Sequence, residues 1–378
     1  MMDTFHESST TLFNRHVQDW KTGGGHVVGY TCSYVPDEIF HAGGILPYRL
    51  RGIEAKEMNI GDAYFGPFIC SLPKCLLQLA GEGKYHFLDG VIVTPGCDSM
   101  RRLDDCWRKA GEDRAEALPS FFFHYAVPHK TADYSIKWFI EETQRLKDAV
   151  EKHFSVTISE DQLHEAIAIY NEGRLFLSRL DALRCATDVA ISGADALAVV
   201  LASTTIPRKA FNDLLKDLIT ELEAVKNPIR GRKRLMLVGS ANDDVELVRL
   251  IEGDEAVVVA DNLCFGARFY ADLVEVEGDP IAALAKRYLF HNDCPRMFGD
   301  YKGRLNILQE KIERAAVDGV ILQNIRFCDL HGSENGIFER DLEAAGIPCI
   351  RIEREYGPLV ETGRIRMRID AFLERLEK

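Results

Sequence analysis

Short, continuous apolar runs separated by polar and glycine-rich stretches dominate the first third of the chain. Such runs are typical of strands buried in a parallel sheet. The predicted strands are His26–Tyr30, Ile45–Arg51, Phe87–Val93 and the FFFHYAV run at 121–127. Helices are predicted between them, from Pro36, within CSLPKCLLQLAGEG, and over Cys97–Lys109. Pro36 suits a first helical turn, and Asp37 and Glu38 suit the positive end of the helix dipole.

Apolar residues recur at helical spacing from about Asp133 to Lys226, which predicts several long helices. A polar linker, Asn227–Arg234, follows them. Strand-like runs then return at Leu235–Gly239, Ala256–Ala260, Asp318–Asn324 and Ile347–Ile352. This alternation predicts an α/β fold with two doubly wound parallel-sheet lobes and a helical insert. The predicted parts are an N-terminal lobe (1–132), a helical segment (133–228) and a C-terminal lobe (229–378).

Three cysteines follow predicted strands. Residues 89–92 and residues 318–321 share the sequence DGVI and lead to Cys97 and Cys328, while the first strand leads to Cys32. Ligands in open α/β sheets bind at the carboxyl ends of strands, so these thiols are predicted to lie close together. Neighbouring helix N-termini would favour the thiolates that metals need. The spacing matches neither a ferredoxin run nor paired zinc ligands, so it names no metal, and ordinary loop cysteines remain an alternative.

Composition narrows the classes of function. The 378 residues are 46% hydrophobic and 28% charged, as in a globular protein with a sizeable core. A net charge of −13 argues against nucleic acid as a partner. No run reaches the roughly 18 to 20 apolar residues of a membrane span, and the N-terminus is unlike a signal peptide. A cytoplasmic protein is therefore expected, with its ten cysteines reduced.

The chain resembles the benzoyl-CoA reductase / 2-hydroxyacyl-CoA dehydratase family over nearly its whole length and with the motifs in the same order. The resemblance is carried by GYTCSYVPDEIFHAGGILPYRLRG, LDGVIVTPGCDSMRRL, NDCPRMFGD, DGVILQNIRFCDLHG and GIPCIRIEREYGPLVETGRIRMRIDAFLE. It implies a subunit that binds a [4Fe–4S] cluster through three cysteines and leaves one iron open. By matching motif these ligands are Cys32, Cys97 and Cys328.

The resemblance also implies partners and a reaction. The partners are a homologous second subunit, in a heterodimer or a homodimer, and a separate ATP-hydrolysing iron–sulfur activator. The chain itself has no GxxxxGK[ST] phosphate loop, which fits an external activator. The substrate is an acyl-CoA, which is either dehydrated through a ketyl radical anion or, in the aromatic reductases, reduced at its ring.

Several residues beside these motifs are candidates for further roles. Ser33 is predicted to hydrogen-bond a substrate carbonyl or a cluster sulfur, or else to cap the helix near Pro36. Asp98 and Asp329 are predicted helix caps, and His331 is a candidate proton donor. The arginines considered for CoA phosphates are Arg49, Arg51, Arg101 and Arg102.

The remaining cysteines leave the cluster type open. Cys70 and Cys294, with Cys75 or Cys264, would supply enough thiolates for a double-cubane [8Fe–9S] cluster, as in some relatives. Such a protein would be a reductase of small molecules. Cys106, Cys185 and Cys349 are predicted to lie in the core. Two further alternatives are a non-catalytic partner subunit with a structural cluster and a metal-free protein with ten ordinary thiols.

Overall fold

Two four-stranded parallel sheets form the framework of the protein. The structure is a computed structural model that describes residues 1–114, 118–291, 293–357 and 362–377. The strands are β1 (Val27–Tyr30), β2 (Leu46–Arg49), β3 (Gly90–Val93), β4 (Phe121–His124), β5 (Lys233–Gly239), β6 (Ala256–Asn262), β7 (Gly319–Ile325) and β8 (Cys349–Arg354). Their order is β2-β1-β3-β4 in one sheet and β6-β5-β7-β8 in the other. The predicted α/β fold with two parallel-sheet lobes is confirmed.

Helices surround both sheets. In the described residues they are α1 (Met2–Thr10), α2 (Arg15–Thr22), α3 (Asp37–Ala42), α4 (Asn59–Tyr64), α5 (Ser71–Gly81), α6 (Asp98–Asp113), α7 (Asp133–Phe154), α8 (Glu160–Cys185), α9 (Gly193–Ala202), α10 (Arg208–Glu223), α11 (Val245–Glu252), α12 (Ala267–Tyr270), α13 (Pro280–Phe290), α14 (Tyr301–Arg314), α15 (Asp329–Ala344) and α16 (Thr362–Leu376). None of these described helices has the length and apolar character needed to cross a bilayer.

The two sheets have the same topology. In each, the strand that comes first in sequence lies between the second and the third, so the chain changes direction across the sheet at β1/β3 and at β5/β7. The connections leaving two such strands run to opposite faces, which opens a crevice at their carboxyl ends. The loops that carry Cys32, Cys97 and Cys328 follow β1, β3 and β7. The repeated topology therefore brings all three loops to crevices of the same kind.

Both faces of the first sheet are buried, as its continuous apolar strands predict. Val28 and Ile92 pack into one core with α7 and α13. Val27 and Val91 point to the opposite face and pack into a second core with α5 and α6. The sheet is therefore a rigid support for the loops at its carboxyl edge.

Helices α7 to α10 follow one another in sequence between β4 and β5. Helix α8 begins with a capping box. The Ser159 hydroxyl accepts from the Gln162 backbone N–H, and the Gln162 side-chain oxygen accepts from the Ser159 backbone N–H. The predicted linker is too long, because β5 already starts at Lys233. Arg234 is accommodated there because its guanidinium donates to the backbone carbonyls of Cys185 and Ala315.

Substitution of Gly239 tests the close packing of β5 against β7. This glycine ends β5, where the strand order of the second sheet reverses. Its φ is +141°, and a Cβ there would overlap the Gln323 carbonyl oxygen on β7. We expect Gly239→Ala to lower the free energy of unfolding by about 2–4 kcal/mol in urea titrations. The matched control is Gly363→Ala in α16, where an added Cβ meets no atom within 4 Å and stability should be unchanged or slightly higher. Equal stability of the two variants would contradict this account.

Candidate functional site

Four cysteine thiols lie near enough to Cys97 or Cys328 to affect the ionisation of those two, and together they form a group of six. The Cys97 thiol interacts with Cys32, Cys294 and Cys328, and the Cys328 thiol also interacts with Cys70 and Cys264. Three of the six precede α6 or begin it, and three follow β5, so the group draws on both halves of the chain. We call Cys32, Cys70, Cys97, Cys264, Cys294 and Cys328 the thiol cluster.

The thiol cluster is assembled by loops at the carboxyl ends of strands. Cys32 and Cys264 each lie two residues beyond a strand, β1 and β6. Cys70, Cys97 and Cys328 are the residues at which α5, α6 and α15 begin. The three predicted ligands are therefore brought together, as are Cys70 and Cys294. The Cys32 sulfur lies beside the Cys97 loop, 3.8 Å from where a Cβ on Gly96 would be.

Burial keeps the Cys97 and Cys328 thiols protonated in the absence of a metal. It raises the pKa of Cys97 and of Cys328 to about 12, and the neighbouring thiols add to the rise. The backbone amides of Met100 and His331, in the first turns of α6 and α15, act in the opposite direction. Two helix N-termini therefore favour the thiolates that a metal would require.

The predicted helix caps are wrong. Cys97 and Cys328 occupy the N-cap positions of α6 and α15, and Asp98 and Asp329 are the first residues inside these helices. The Asp98 carboxylate instead accepts a hydrogen bond from Arg102 at 2.9 Å. An acidic side chain in the first turn still interacts favourably with the helix dipole, even though it does not occupy the N-cap.

Ser33 joins the Cys32 loop to the Cys264 loop. Its hydroxyl donates to the Cys264 carbonyl oxygen at 3.0 Å and accepts from the Arg49 guanidinium at 2.8 Å. Ser33 does not cap α3, whose N-cap is Pro36. A hydroxyl has one proton to donate, so a hydrogen bond to a substrate carbonyl would require breaking the bond to Cys264. That catalytic role stays a prediction.

Two of the four arginines considered for CoA phosphates do not suit that role. Arg49 and Arg51 are buried, at 2% and 0% exposure. Arg49 donates to Ser33, and Arg51 donates to the backbone carbonyls of Ser8 and Ser9. Arg101 and Arg102 are exposed and pair with Asp98 at the start of α6.

His331 is buried in the first turn of α15. Burial, with the positive charges of Arg268 and Arg304, holds the pKa of its imidazole well below the usual value. The ring is therefore neutral at neutral pH and carries no additional proton to release. Its role as a proton donor stays a prediction, and it would require a nearby negative charge to favour the imidazolium.

Two buried arginines connect the loops around Cys294. Arg296 donates to the carbonyl oxygens of Gly96 at 3.1 Å, Val127 at 2.9 Å and Pro128 at 2.8 Å. Arg268 donates to Asp293 and Gly239 carbonyls, each at 3.3 Å, while its Nε is buried without a hydrogen-bond partner. Both guanidinium groups act on the Cys294 thiol and favour its ionised form, although burial raises its pKa overall.

The thiol cluster suits a polynuclear metal group better than a single ion. Within the described ranges, no three Cys, His, Asp or Glu side chains lie close enough to hold one metal ion. An iron–sulfur cluster distributes its cysteine ligands over several irons, so its sulfurs need not meet at one point. The fixed charges of Arg268 and Arg296 would offset part of the negative charge of such a group.

An exposed aromatic pair borders the thiol cluster. Phe68 is 76% exposed and Phe327 is 39% exposed, and their rings make an edge-to-face contact at 5.7 Å. Phe68 lies two residues before Cys70 in sequence, and Phe327 directly precedes Cys328. Phe327 has a φ of +63°, a conformation uncommon for a bulky side chain. A solvent-exposed aromatic pair beside a buried site, with one member in a strained backbone conformation, is typical of a binding surface.

The cysteines outside the cluster are mostly structural. Cys349 is buried, as predicted, and so is Cys75. Cys106 and Cys185 are half-buried, because their thiols turn to the backbone carbonyls of Tyr64 and Val259 at the edges of the cores. They line these cores rather than filling them.

Arg296 offers a test of how the site is held together. Arg296→Met would leave three backbone carbonyls without their donor, so we expect a loss of about 2–4 kcal/mol in the free energy of unfolding. Arg101→Met, on the exposed side of α6, should change stability by about 0.5 kcal/mol or less. Chemical denaturation monitored by circular dichroism measures both. If the two variants were equally stable, Arg296 would not organise the loops.

Comparison of the sequence with known proteins identifies its family. The family model described as 2-hydroxyglutaryl-CoA dehydratase, D-component, matches residues 32–376. The chain is 25% identical to the (R)-phenyllactyl-CoA dehydratase beta subunit of Clostridium sporogenes, covering 93% of this chain and 92% of that protein. It is 27% identical to one of the benzoyl-CoA reductase subunits of Thauera aromatica, covering 80% and 78%. It is 28% identical to the putative dehydratase subunit YjiM of Escherichia coli K12, covering 100% and 98%. The chain belongs to the 2-hydroxyglutaryl-CoA dehydratase D-component family.

Proposed function

We propose that this chain is the iron–sulfur subunit of an enzyme that acts on acyl-CoA thioesters with low-potential electrons. The reaction is either the dehydration of a 2-hydroxyacyl-CoA or the reduction of a benzoyl-CoA ring. The observation that carries the proposal is that the Cys97 thiol interacts with the thiols of Cys32 and Cys328, in loops that follow strands of both sheets. Relatives named as subunits of both kinds of enzyme support it.

The proposed cofactor is a [4Fe–4S] cluster on Cys32, Cys97 and Cys328. When bound, such a cluster supplies low-potential electrons and, at an iron without a thiolate, a Lewis-acidic position for an oxygen ligand. The chain's own contribution is to fix the sulfurs and to limit the access of water. Ser33 and Arg296 hold the Cys32 and Cys97 loops by hydrogen bonds to the Cys264 and Gly96 carbonyls.

A double-cubane [8Fe–9S] cluster, in a reductase of small molecules, is the second candidate. The observation that favours it is the presence of Cys70, Cys264 and Cys294 in the same thiol group. Six thiolates would suffice for two cubanes, whereas a single cubane would use only half of them. The sequence left Cys75 or Cys264 as the sixth ligand beside Cys70 and Cys294; Cys264 interacts with Cys328, and Cys75 interacts with Cys70.

We further propose a homologous second subunit, in a heterodimer or homodimer, and an external ATP-hydrolysing iron–sulfur activator as electron donor. Relatives named beta subunits support a multi-subunit assembly. The exposed Phe68–Phe327 pair beside the thiol cluster supports a partner on that face. Ten free cysteines support a reducing compartment, and we propose the cytoplasm.

Iron and acid-labile sulfide analysis of anaerobically purified protein tests the proposal. We expect about four irons per chain for one cubane or about eight for the double cubane. Cys328→Ser should lose most of the iron and the low-potential redox signal, because it removes a ligand common to both candidates. Cys349→Ser is the matched control, since Cys349 is buried in β8 outside the cluster.

Serine variants of the other thiols separate the two candidates. With a single cubane, Cys70→Ser, Cys264→Ser and Cys294→Ser should keep about four irons per chain, because none of them is then a ligand. With the double cubane, each should lose iron relative to a wild-type value of about eight. Wild-type protein without iron, after anaerobic reconstitution, would refute the proposed function.

A further inference from the structure

A second buried polar network lies outside the thiol cluster, in the first turn of α3. Glu38 is fully buried, and both of its carboxylate oxygens are paired, with Arg174 at 2.5 Å and Tyr288 at 2.8 Å. Asp37, the preceding residue, is equally buried but less well paired. Its Oδ2 accepts from the Tyr30 hydroxyl at 3.2 Å, and its Oδ1 has no hydrogen-bond partner.

A small cavity lies between Asp37 and Arg208. Its volume is about 10 Å³, and Tyr170, Arg174 and Tyr288 also line it. The Arg208 guanidinium remains 4.0 Å from the Asp37 carboxylate, and its Nε is buried without a partner. A cavity of this size holds about one water molecule. The carboxyl group is therefore incompletely neutralised, with space beside its free oxygen.

A continuous path of contacts connects Asp37 to the thiol cluster. The Tyr30 hydroxyl donates to Asp37, and the Arg49 guanidinium lies 5.6 Å from the Tyr30 ring. Arg49 in turn donates to the Ser33 hydroxyl at 2.8 Å, next to Cys32. All of these side chains are buried, so a change of charge at Cys32 is poorly screened by solvent along this path.

We propose that Asp37 takes up a proton when the iron–sulfur site is reduced. This inference rests on the proposed function, because it needs a redox group on the thiol cluster. One electron passes from a low-potential one-electron donor to that group. One proton passes from water to the free Oδ1 of Asp37, forming its O–H bond, so that the buried region gains no net charge.

The ionisation of the surrounding groups supports this choice of residue. Burial raises the pKa of Asp37 to about 7, Arg208 opposes the rise and Glu38 adds to it. The titratable and charged groups that interact with Asp37 are Tyr30 on β1, Glu38 on α3, Tyr170 and Arg174 on α8, Arg208 on α10 and Tyr288 on α13. His41 on α3 and Arg287 on α13 interact with Glu38.

The three tyrosines, His41, Glu38 and Arg287 do not change charge near neutral pH. Burial raises the pKa values of the tyrosines and lowers that of His41, so all four stay neutral. Burial works against the ionised Glu38, but the charges of Arg174 and Arg287 and the hydrogen bonds to its carboxylate together lower its pKa. Even with a pKa lowered by burial to about 10, Arg287 stays charged. Asp37 is thus the group whose proton affinity an added electron would shift within the physiological range.

Potentiometric titration of the iron-loaded protein with titanium(III) citrate tests the proposal, read by electron paramagnetic resonance from pH 6 to pH 8.5. We expect the wild-type potential to become more negative with rising pH around neutrality, by up to about 59 mV for each tenfold fall in proton concentration. Asp37→Asn should abolish this slope. Glu252→Gln should keep it, because Glu252 is a buried carboxyl in α11 whose partners are the Gly193, Ala194 and Val258 amides, outside the contacts of Asp37.

Arg208→Met gives a second variant if Asp37→Asn does not fold. Arg208 lowers the pKa of Asp37, so its removal should move the pH-dependent region to higher pH. A wild-type potential that does not vary with pH would overturn the inference, as would a slope that survives in Asp37→Asn. Wild-type protein that binds no iron would instead refute the proposed function, so the two failures are distinguishable.

The pH dependence of stability checks the titration of Asp37 without any reductant. The unfolded carboxyl loses its proton near pH 4, while the folded one keeps it until about pH 7, so this group's contribution to stability falls as pH rises through that window. Asparagine does not ionise in either state. Asp37→Asn should therefore gain stability relative to wild type between pH 5 and pH 8, whereas Glu38→Gln should lose stability across that range. An unchanging difference between Asp37→Asn and wild type would contradict a raised pKa.

Discussion

Buried sulfurs can ionise and bind metal only if the protein supplies the compensation that water would otherwise give. At the thiol cluster, that compensation comes from helix N-termini and from the charges of Arg268 and Arg296. The same two arginines fix the backbone, through the carbonyls of Gly96 and Gly239. Electrostatic support and loop position therefore depend on the same side chains, and a change in one alters the other.

Several hydrogen bonds between the lobes lie at or near the site. Ser33 bonds to the carbonyl of Cys264. The Tyr356 hydroxyl accepts from the Gly52 amide and donates to the Asp243 carboxylate, linking the loops after β2, β5 and β8. Ser71, next to Cys70, donates to Glu355. Each bond crosses between the halves of the chain close to a thiol or to the loop that carries it, so the lobes cannot separate without disturbing the site.

The fold was largely predictable from the sequence because a strand buried on both faces leaves a continuous apolar run that needs no knowledge of its neighbours. The DGVI runs before Cys97 and Cys328 are of this kind, and β3 and β7 lie where they indicate. The position of Cys264 in a loop after a strand could also have been predicted, because it follows the AVVVA run as Cys328 follows DGVI. The helix caps were not, since Cys and Asp are adjacent at each start and only backbone geometry decides between them.

Side-chain partners were the least predictable part. Arg49 ends a strand in the sequence and resembles an exposed cation, yet it is buried against Ser33 and Phe265. Such a position depends on which loops of a distant lobe cover the strand end, and local sequence does not encode that. The partners of the buried carboxyl groups on α3 are equally hard to predict, because α3 contacts α8, α10 and α13 only in the folded chain.

Asp37 and Glu38 are neighbouring carboxyl groups in one helical turn and both are buried, yet their pKa values differ because their partners differ. Glu38 meets Arg174 closely enough that its pKa stays low, while Asp37 meets Arg208 only at 4.0 Å and its pKa rises to about 7. The gap between Arg208 and Asp37 is thus what distinguishes the two residues. Glu38 keeps a fixed charge, whereas Asp37 can change its charge. A fold that places such a carboxyl at the end of a buried path from Cys32 has the means to offset an electron with a proton.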